Sequence, residues 1–254
     1  MESKDFTLNI NENMIKGKIF FPKGNYNQAL GLIILCHGIP GSVIKDPDDP
    51  GYPKLAESLT KDGYQAVIFN FRGAGESTGD FDILGWVEDL KGVINYITAL
   101  NNFSLQPIVF GFSAGAAIAV YTAAHDNKIH SLILCGCPAD FDSIISDTGI
   151  EQFLQHTREV GIIKTSGFPP DQSKWEEGFK IIRPEKWISQ IKSIPKLILH
   201  GDNDDVVPVD HAYRLFNKAQ EPKDLLIVKK GGHRLRLNEE AMRAALEWIK
   251  KTKS

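Results

Sequence analysis

Cysteine is scarce in this chain of 254 residues, with only Cys36, Cys135 and Cys137 present. Three cysteines build no disulfide framework, so reduced thiols and a cytoplasmic location are expected. Cys135 and Cys137 sit two apart on one apolar run, which as a strand puts them on the same face. Long hydrophobic runs are missing too: none approaches the roughly 20 residues of a membrane span, so no stable membrane anchor is expected. The opening MESKDFTLNI carries neither the basic segment nor the apolar core of a signal peptide. An excess of positive charge is also lacking, since 29 Lys and Arg stand against 32 Asp and Glu for a net −3. Apart from Lys250, Lys251 and Lys253, read as a solvated helix end, the basic residues are scattered. This excludes a basic surface for nucleic acid. No internal repeat or low-complexity segment is found.

What is present is the composition of a globular protein, with 42% hydrophobic and 24% charged residues. A domain of this length buries roughly 75% of its unfolded surface and needs no covalent staples. The N-terminus alternates: Leu8, Ile10, Ile15, Ile19 and Phe21 flank Asn11-Glu12-Asn13, which predicts an antiparallel hairpin. From Leu32 onward, short apolar runs take over: LIILCHG, YQAVIFNFRG, PIVFGFS, HSLILCGCP, PKLILHGD and LLIVKKGG. Each has the length of a strand and Gly or Pro near its end, the pattern of strands buried on both faces of a parallel sheet. Between them lie helical spacings, such as Trp86, Leu90, Val93, Ile94 and Ile97, and Met242, Ala245, Leu246 and Ile249. Strand and helix in alternation predict an α/β fold, mostly parallel, with helices on both faces. In such sheets chemistry gathers at the carboxyl ends of the strands.

Residues 1–254 are read as one domain. About 139–192 breaks the rhythm, having no strand signal and carrying Phe141, Phe153, Phe168, Trp175, Phe179 and Trp187. An interval this long predicts a small helical cap over the strand ends.

Gly111-Phe112-Ser113-Ala114-Gly115 joins a strand directly to an alanine-rich helix. A turn this sharp leaves no room for side chains two residues before and after its apex, hence the glycines. The apex serine is pushed out of the sheet top: a G-x-S-x-G nucleophile elbow. A serine hydroxyl is a weak nucleophile and needs a base, itself oriented by a carboxylate. Two later strand ends offer them, His200–Pro208 (HGDNDDVVP) and Lys229–Arg236 (KKGGHRLR). Ser113, Asp204 and His233 then follow in the order Ser, acid, His. The other six histidines fit less well. His125 and His130 flank a connection, His156 lies in the cap, His211 opens a helix, and His37 and His200 brace strand-end loops.

With these motifs in order (HGIPGS, FRGAGES, GFSAG, HGDNDDVVP and GGH), nearly the whole chain resembles the α/β-hydrolase superfamily. The resemblance is to the branch of small serine esterases, monoacylglycerol-lipase-like enzymes and serine aminopeptidase-like proteins. It implies the acid of an H-G-x-x-D-x-x-V-P pattern, here Asp204, with Asp202 and Asp205 as neighbouring turn formers that remain alternatives. It implies an oxyanion hole from the N–H groups of Ala114 and Ile39; Pro40 has no N–H to offer. The first loop lacks the glycine triplet of hormone-sensitive-lipase-like esterases. Arg72 in FRGAGES is expected to tie loops together, and the acidic Asp46–Pro53 to form an exposed loop before a helix.

These readings predict a serine hydrolase of carboxylic esters with short-to-medium acyl, monoacylglycerol-like or aryl groups. Phe141, Trp175 and Trp187 are the candidate substrate-binding residues. No cofactor is expected, and no metal, although His200, Asp202, Asp204 and His211 fall close enough in sequence to suggest one. The partner is a small-molecule ester, and oligomeric state is open. An aminopeptidase or thioesterase on the same triad remains an alternative. For the former, Asp140 or Asp142 would have to meet the substrate amine rather than cap a helix. So does a non-catalytic relative that binds a ligand.

Overall fold

A computed structural model describes residues 2–23, 29–41, 49–100, 106–142, 145 and 149–252. Ser42 of the HGIPGS loop, Asp46 to Asp48 of the acidic stretch, Lys253 of the tail and residues 143, 144 and 146–148 of the expected cap lie outside them. The chain opens with β1 (Glu2–Ile10) and β2 (Asn13–Phe21), paired antiparallel from Glu2↔Phe21 to Ile10↔Asn13. The two residues between them, Asn11 and Glu12, have φ of 47° and 66°. Two consecutive positive φ values give the turn whose twist matches that of the strands, and Asn tolerates them well.

Six strands follow: β3 (Leu32–Cys36), β4 (Gln65–Phe69), β5 (Ile108–Phe112), β6 (Ser131–Cys135), β7 (Lys196–Gly201) and β8 (Lys223–Val228). The sheet order is β1-β2-β4-β3-β5-β6-β7-β8. Every pair among β3 to β8 is parallel, whereas β2 meets β4 antiparallel. Parallel neighbours need crossovers, supplied by α1 (Gly51–Lys61), α2 (Ile83–Leu100), α3 (Ala114–His125) and α7 (Asp210–Lys218), with α8 (Glu239–Thr252) closing the chain. Alternate strand residues enter different cores. Leu32, Ile34 and Cys36 of β3 pack with α2 and α3, and Ile33 and Leu35 pack with α1 and α8. That division explains the continuous apolar runs, since β3, β5, β6 and β7 are buried on both faces, whereas the edge strand β8 is only partly covered. The stripe from Trp86 to Ile97 is buried throughout.

The interval after β6 forms α4 (Ile150–Glu159), α5 (Gln172–Ile182), the short α6 (Pro184–Trp187) and one 3-10 turn (Ile188–Gln190). Its parts behave differently. Gln152, Phe153 and His156 of α4 line a cavity with Gly38, Ser113 and Pro138 beyond the strand ends, but α5 packs along α2, and α6 with its 3-10 turn along α3. Only the first portion therefore covers the strand ends, and the second thickens one helical layer.

Cys135 and Cys137 do not share a face. The strand stops at Cys135, and Gly136 turns the chain with φ of +57°. Cys135 thus joins one core and Cys137 the other. Burial pushes all three thiols well above their ordinary range, so they stay protonated and inert. Among the described residues no helix is long and apolar enough to cross a membrane.

Candidate active site

Ser113 stands between β5 and α3 with φ of 52° and ψ of −124°, a conformation that costs a non-glycine residue strain. Packing holds it there. The Ser113 N–H donates to the Cys135 carbonyl at 2.8 Å, and its own carbonyl accepts from Ala116 and Ala117 in the first turn of α3. A Cβ on Gly111 would strike the backbone of Ala116, and one on Gly115 would strike the carbonyls of Cys36 and His37. The elbow is tight because helix and strand backbones touch at these two positions. The first N–H groups of α3, that of Ala114 included, have no carbonyl four residues back within the helix.

Asp204 follows β7 and His233 follows β8. His233 Nδ1 lies 2.8 Å from Oδ2 of Asp204. Oδ1 of Asp204 accepts the N–H groups of Val206 at 2.9 Å and Val207 at 2.8 Å. Burial alone would raise the Asp204 carboxyl. Hydrogen bonds from His200, His233 and Val207 outweigh it and hold Asp204 far below the usual carboxylate range. The side chain is wholly buried, while that of His233 keeps 19% of its surface exposed. Asp202, by contrast, uses Oδ1 to accept the Lys230 N–H at 2.5 Å, as a turn former does. Asp205 is exposed at the rim.

Ser113 and His233 open into one cavity of about 1330 Å³, shared with Gly38, Ile39, Ala114 and Phe141. One wall is apolar, from Ile39, Ala74, Pro138, Phe141 and Phe153. The Phe141 and Phe153 rings are backed by Phe179 at 5.3 and 5.6 Å. The other wall is polar. Arg236 ion-pairs with Asp49 through both guanidinium nitrogens and lies 5.0 Å over the Tyr52 ring. Asp49 is thus taken up by a partner near the chain's end rather than exposed in a loop. The Arg236 hydrogen bond pulls its carboxyl below the ordinary value.

Of the three expected substrate-binding residues, the structure brings only Phe141 to this cavity. The Trp175 indole is buried and donates to the Phe81 carbonyl at 2.9 Å. Trp187 packs against Tyr121 and His125 of α3 and donates to the Ile181 carbonyl at 2.6 Å. Both large rings fill the seam between the interval and the α2–α3 layer. Gln152, Phe153 and His156 of α4 line the cavity instead. His156 Nε2 donates to the Pro40 carbonyl at 3.1 Å, joining α4 to the loop that carries Ile39.

The remaining polar candidates have structural partners. His37 Nδ1 donates to the Gly38 carbonyl at 2.8 Å, and its Nε2 accepts the Phe71 N–H at 3.1 Å. Burial lowers its pKa, so the neutral ring braces the loop. His211 Nδ1 accepts the Ala139 N–H at 2.9 Å. Arg72 is buried against Asp89, with Glu88 beside it, and ties its loop to α2. Asp140 pairs with Arg214 and Arg183, and Asp142 with Arg183 at 2.9 Å. Neither carboxylate lines the cavity. Among the described residues no three His, Cys, Asp or Glu side chains are grouped to hold a metal.

Comparison with known proteins agrees with this architecture. Residues 31–160 match the alpha/beta hydrolase fold family, and residues 170–254 match the family of PhoPQ-activated pathogenicity-related protein. The uncharacterized protein YfhR of Escherichia coli O157:H7 is 26% identical over 235 residues, covering 91% of this chain and 73% of YfhR. Est1E from Butyrivibrio proteoclasticus, solved with ferulic acid bound, superposes with a TM-score of 0.72 at 21% identity, covering 96% of this chain and 99% of Est1E. An alpha-beta serine hydrolase homologue from Coxiella burnetii gives 0.64 at 25% identity, covering 95% and 96%. The first family match spans just over half of the sequence and holds the strand–elbow–helix unit around Ser113: the chain belongs to the α/β-hydrolase fold family.

Proposed function

We propose that this protein is a serine hydrolase of carboxylic esters, with residues 1–254 acting as one catalytic domain. Ser113 is its nucleophile, His233 its base and Asp204 its acid. The observation that carries the reading is the 2.8 Å contact from His233 Nδ1 to Asp204, made on the wall of the cavity into which the strained Ser113 also opens.

In this reading Ser113 Oγ attacks the acyl carbonyl while His233 Nε2 takes its proton. Asp204 fixes the tautomer that leaves Nε2 free and stabilises the imidazolium that forms. The N–H groups of Ile39 and Ala114 receive the negative charge on the former carbonyl oxygen, a contribution worth roughly 10²–10³ in rate per donor. The imidazolium then protonates the departing alcohol, leaving an acyl-serine. Water, deprotonated by His233, repeats the sequence and releases the acid.

The apolar wall of Phe141, Phe153, Pro138, Ile39 and Ala74 suits an apolar acyl or aryl group. Est1E binds ferulic acid, so aryl esters belong among the substrates to try. The aminopeptidase alternative loses support, because Asp140 and Asp142 are engaged by arginines away from the cavity. A fluorophosphonate probe should label wild type and not Ser113→Ala. The untreated wild-type protein should turn over p-nitrophenyl esters faster than aminoacyl anilides or acyl thioesters. Labelling that persists in Ser113→Ala would remove the nucleophile, and anilides turned over fastest would move the reaction to amides.

A further inference from the structure

His200, on β7, has one ring nitrogen facing two acceptors and another facing none. Its Nε2 lies 2.8 Å from the Val207 carbonyl and 3.3 Å from Oδ2 of Asp204. A nitrogen placed between two acceptors carries the ring proton. Nδ1 is then a bare lone pair, and it is buried with no hydrogen-bond partner. An imidazole held this way costs folding free energy that an apolar ring would not. Packing alone therefore does not account for a histidine here.

We propose that His200 is a positioning residue for the acid: its Nε2–H, shared between Asp204 and Val207, locks the carboxylate in the orientation that receives the Nδ1–H of His233. The proposal rests on the serine-hydrolase reading above. The contacts form a closed ring. Asp204 Oδ1 accepts from Val207 N, the Val207 carbonyl accepts from His200, and His200 returns to Oδ2. Val206 N adds a second donor to Oδ1. Rotating the carboxylate breaks these contacts together, and no water replaces them, because both side chains are fully buried. The other titratable groups near this pair are His233, the Cys135 thiol, and His211 beside His200. None of them donates to the Val207 carbonyl as well.

Three variants test it, each first checked for folding by circular dichroism and thermal unfolding. His200→Phe removes the donor but keeps a ring. His200→Gln keeps an N–H near the reach of Nε2, and His200→Asn keeps one only near the reach of Nδ1. On a p-nitrophenyl ester, His200→Phe and His200→Asn should lose about tenfold or more in kcat with little change in KM, the size of one hydrogen bond to a charged group. Their acid limb should move to higher pH, because a donor that favours the anionic form of the dyad is gone. His200→Gln should recover much of both. If His200→Phe fails to fold, the Gln and Asn pair carries the comparison. An unmoved acid limb, with Gln no better than Asn, overturns the proposal. Equal turnover by wild type and Ser113→Ala would instead sink the serine-hydrolase reading. In that event the low-field NMR signal of the proton between His233 and Asp204 reads the same contact without substrate. A pH response identical in wild type, Gln and Asn proteins overturns the positioning role whatever the reaction.

Discussion

Replacing Ser113 by glycine should stabilise the fold while abolishing hydrolysis. The reasoning starts from its backbone, φ 52° and ψ −124°, which glycine adopts freely and a residue with a Cβ does not. Strain of this kind costs about 1–3 kcal/mol. Glycine brings its own penalty of about 0.5–1 kcal/mol, because its unfolded chain is more flexible. The proper reference is Ser113→Ala, which also lacks the hydroxyl but keeps the Cβ. Against it, Ser113→Gly should come out ahead by about 1 kcal/mol. For a domain of this size that is roughly 2–4 °C in Tm. Both variants are compared by calorimetry at one concentration and by urea unfolding, where equal slopes show that only stability has changed. If Ser113→Gly melts below Ser113→Ala, glycine has shown only its ordinary penalty. The backbone of Ser113 would then hold no strain for glycine to relieve, and the reasoning from its φ and ψ would fail.

Further outcomes are expected. Asp204→Asn should cost up to about four orders of magnitude in kcat, and Asp202→Asn little, since only the first faces His233. Asp204 has a depressed folded-state pKa, so its ionisation stabilises the fold above about pH 4 and is lost as pH falls through the folded value. Below pH 4 the urea midpoint of wild type should therefore fall more steeply than that of Asp204→Asn. Lys196 has its pKa pushed down by burial to about 8. Between that value and the ordinary 10.5 the unfolded chain holds the extra proton, so wild-type stability should rise with pH across this window; Lys196→Met should lack the rise in parallel urea titrations. Phe141→Ala should change the ratio of kcat/KM between short and long p-nitrophenyl esters by about tenfold. Trp175→Ala should destabilise by about 3–5 kcal/mol and leave that ratio unchanged. A shifted ratio in the Trp175 variant would return that ring to the acyl pocket.

Sequence spacing was informative wherever the controlling force acts within a few residues. Gly111 and Gly115 flank Ser113 because strand and helix backbones collide there, a constraint contained in five positions. The two-residue turn at Asn11-Glu12 and the continuous runs of β3 to β8 are local in the same sense. Face assignment already exceeds that range. The two-residue period put Cys135 and Cys137 together, and one positive φ at Gly136 sent them to different cores.

The walls of the cavity were harder to read, for a related reason. Aromatic composition marks a segment as buried but does not say against what. Trp175 and Trp187 have the same burial incentive as Phe141 and Phe153; Trp187 satisfies it in part and the other three fully. They differ in where they meet their neighbours: Trp175 lies behind Phe153, against Phe81 and Phe179, and Trp187 lies on Tyr121 and His125 of α3. The Asp49–Arg236 pair lies still further from anything local, 187 residues apart in sequence. No spacing rule joins an acidic loop after β3 to Leu235–Leu237, a 3-10 turn after β8. The two meet because the strand-end loops converge on the cavity from both sides of the elbow. The chemistry proposed for the site therefore rests on short motifs, whereas its substrate choice depends on residues that only the folded sheet brings together. Tests of specificity belong on Phe141, Phe153, Asp49 and Arg236, which face the cavity, and not on the residues with the largest aromatic side chains.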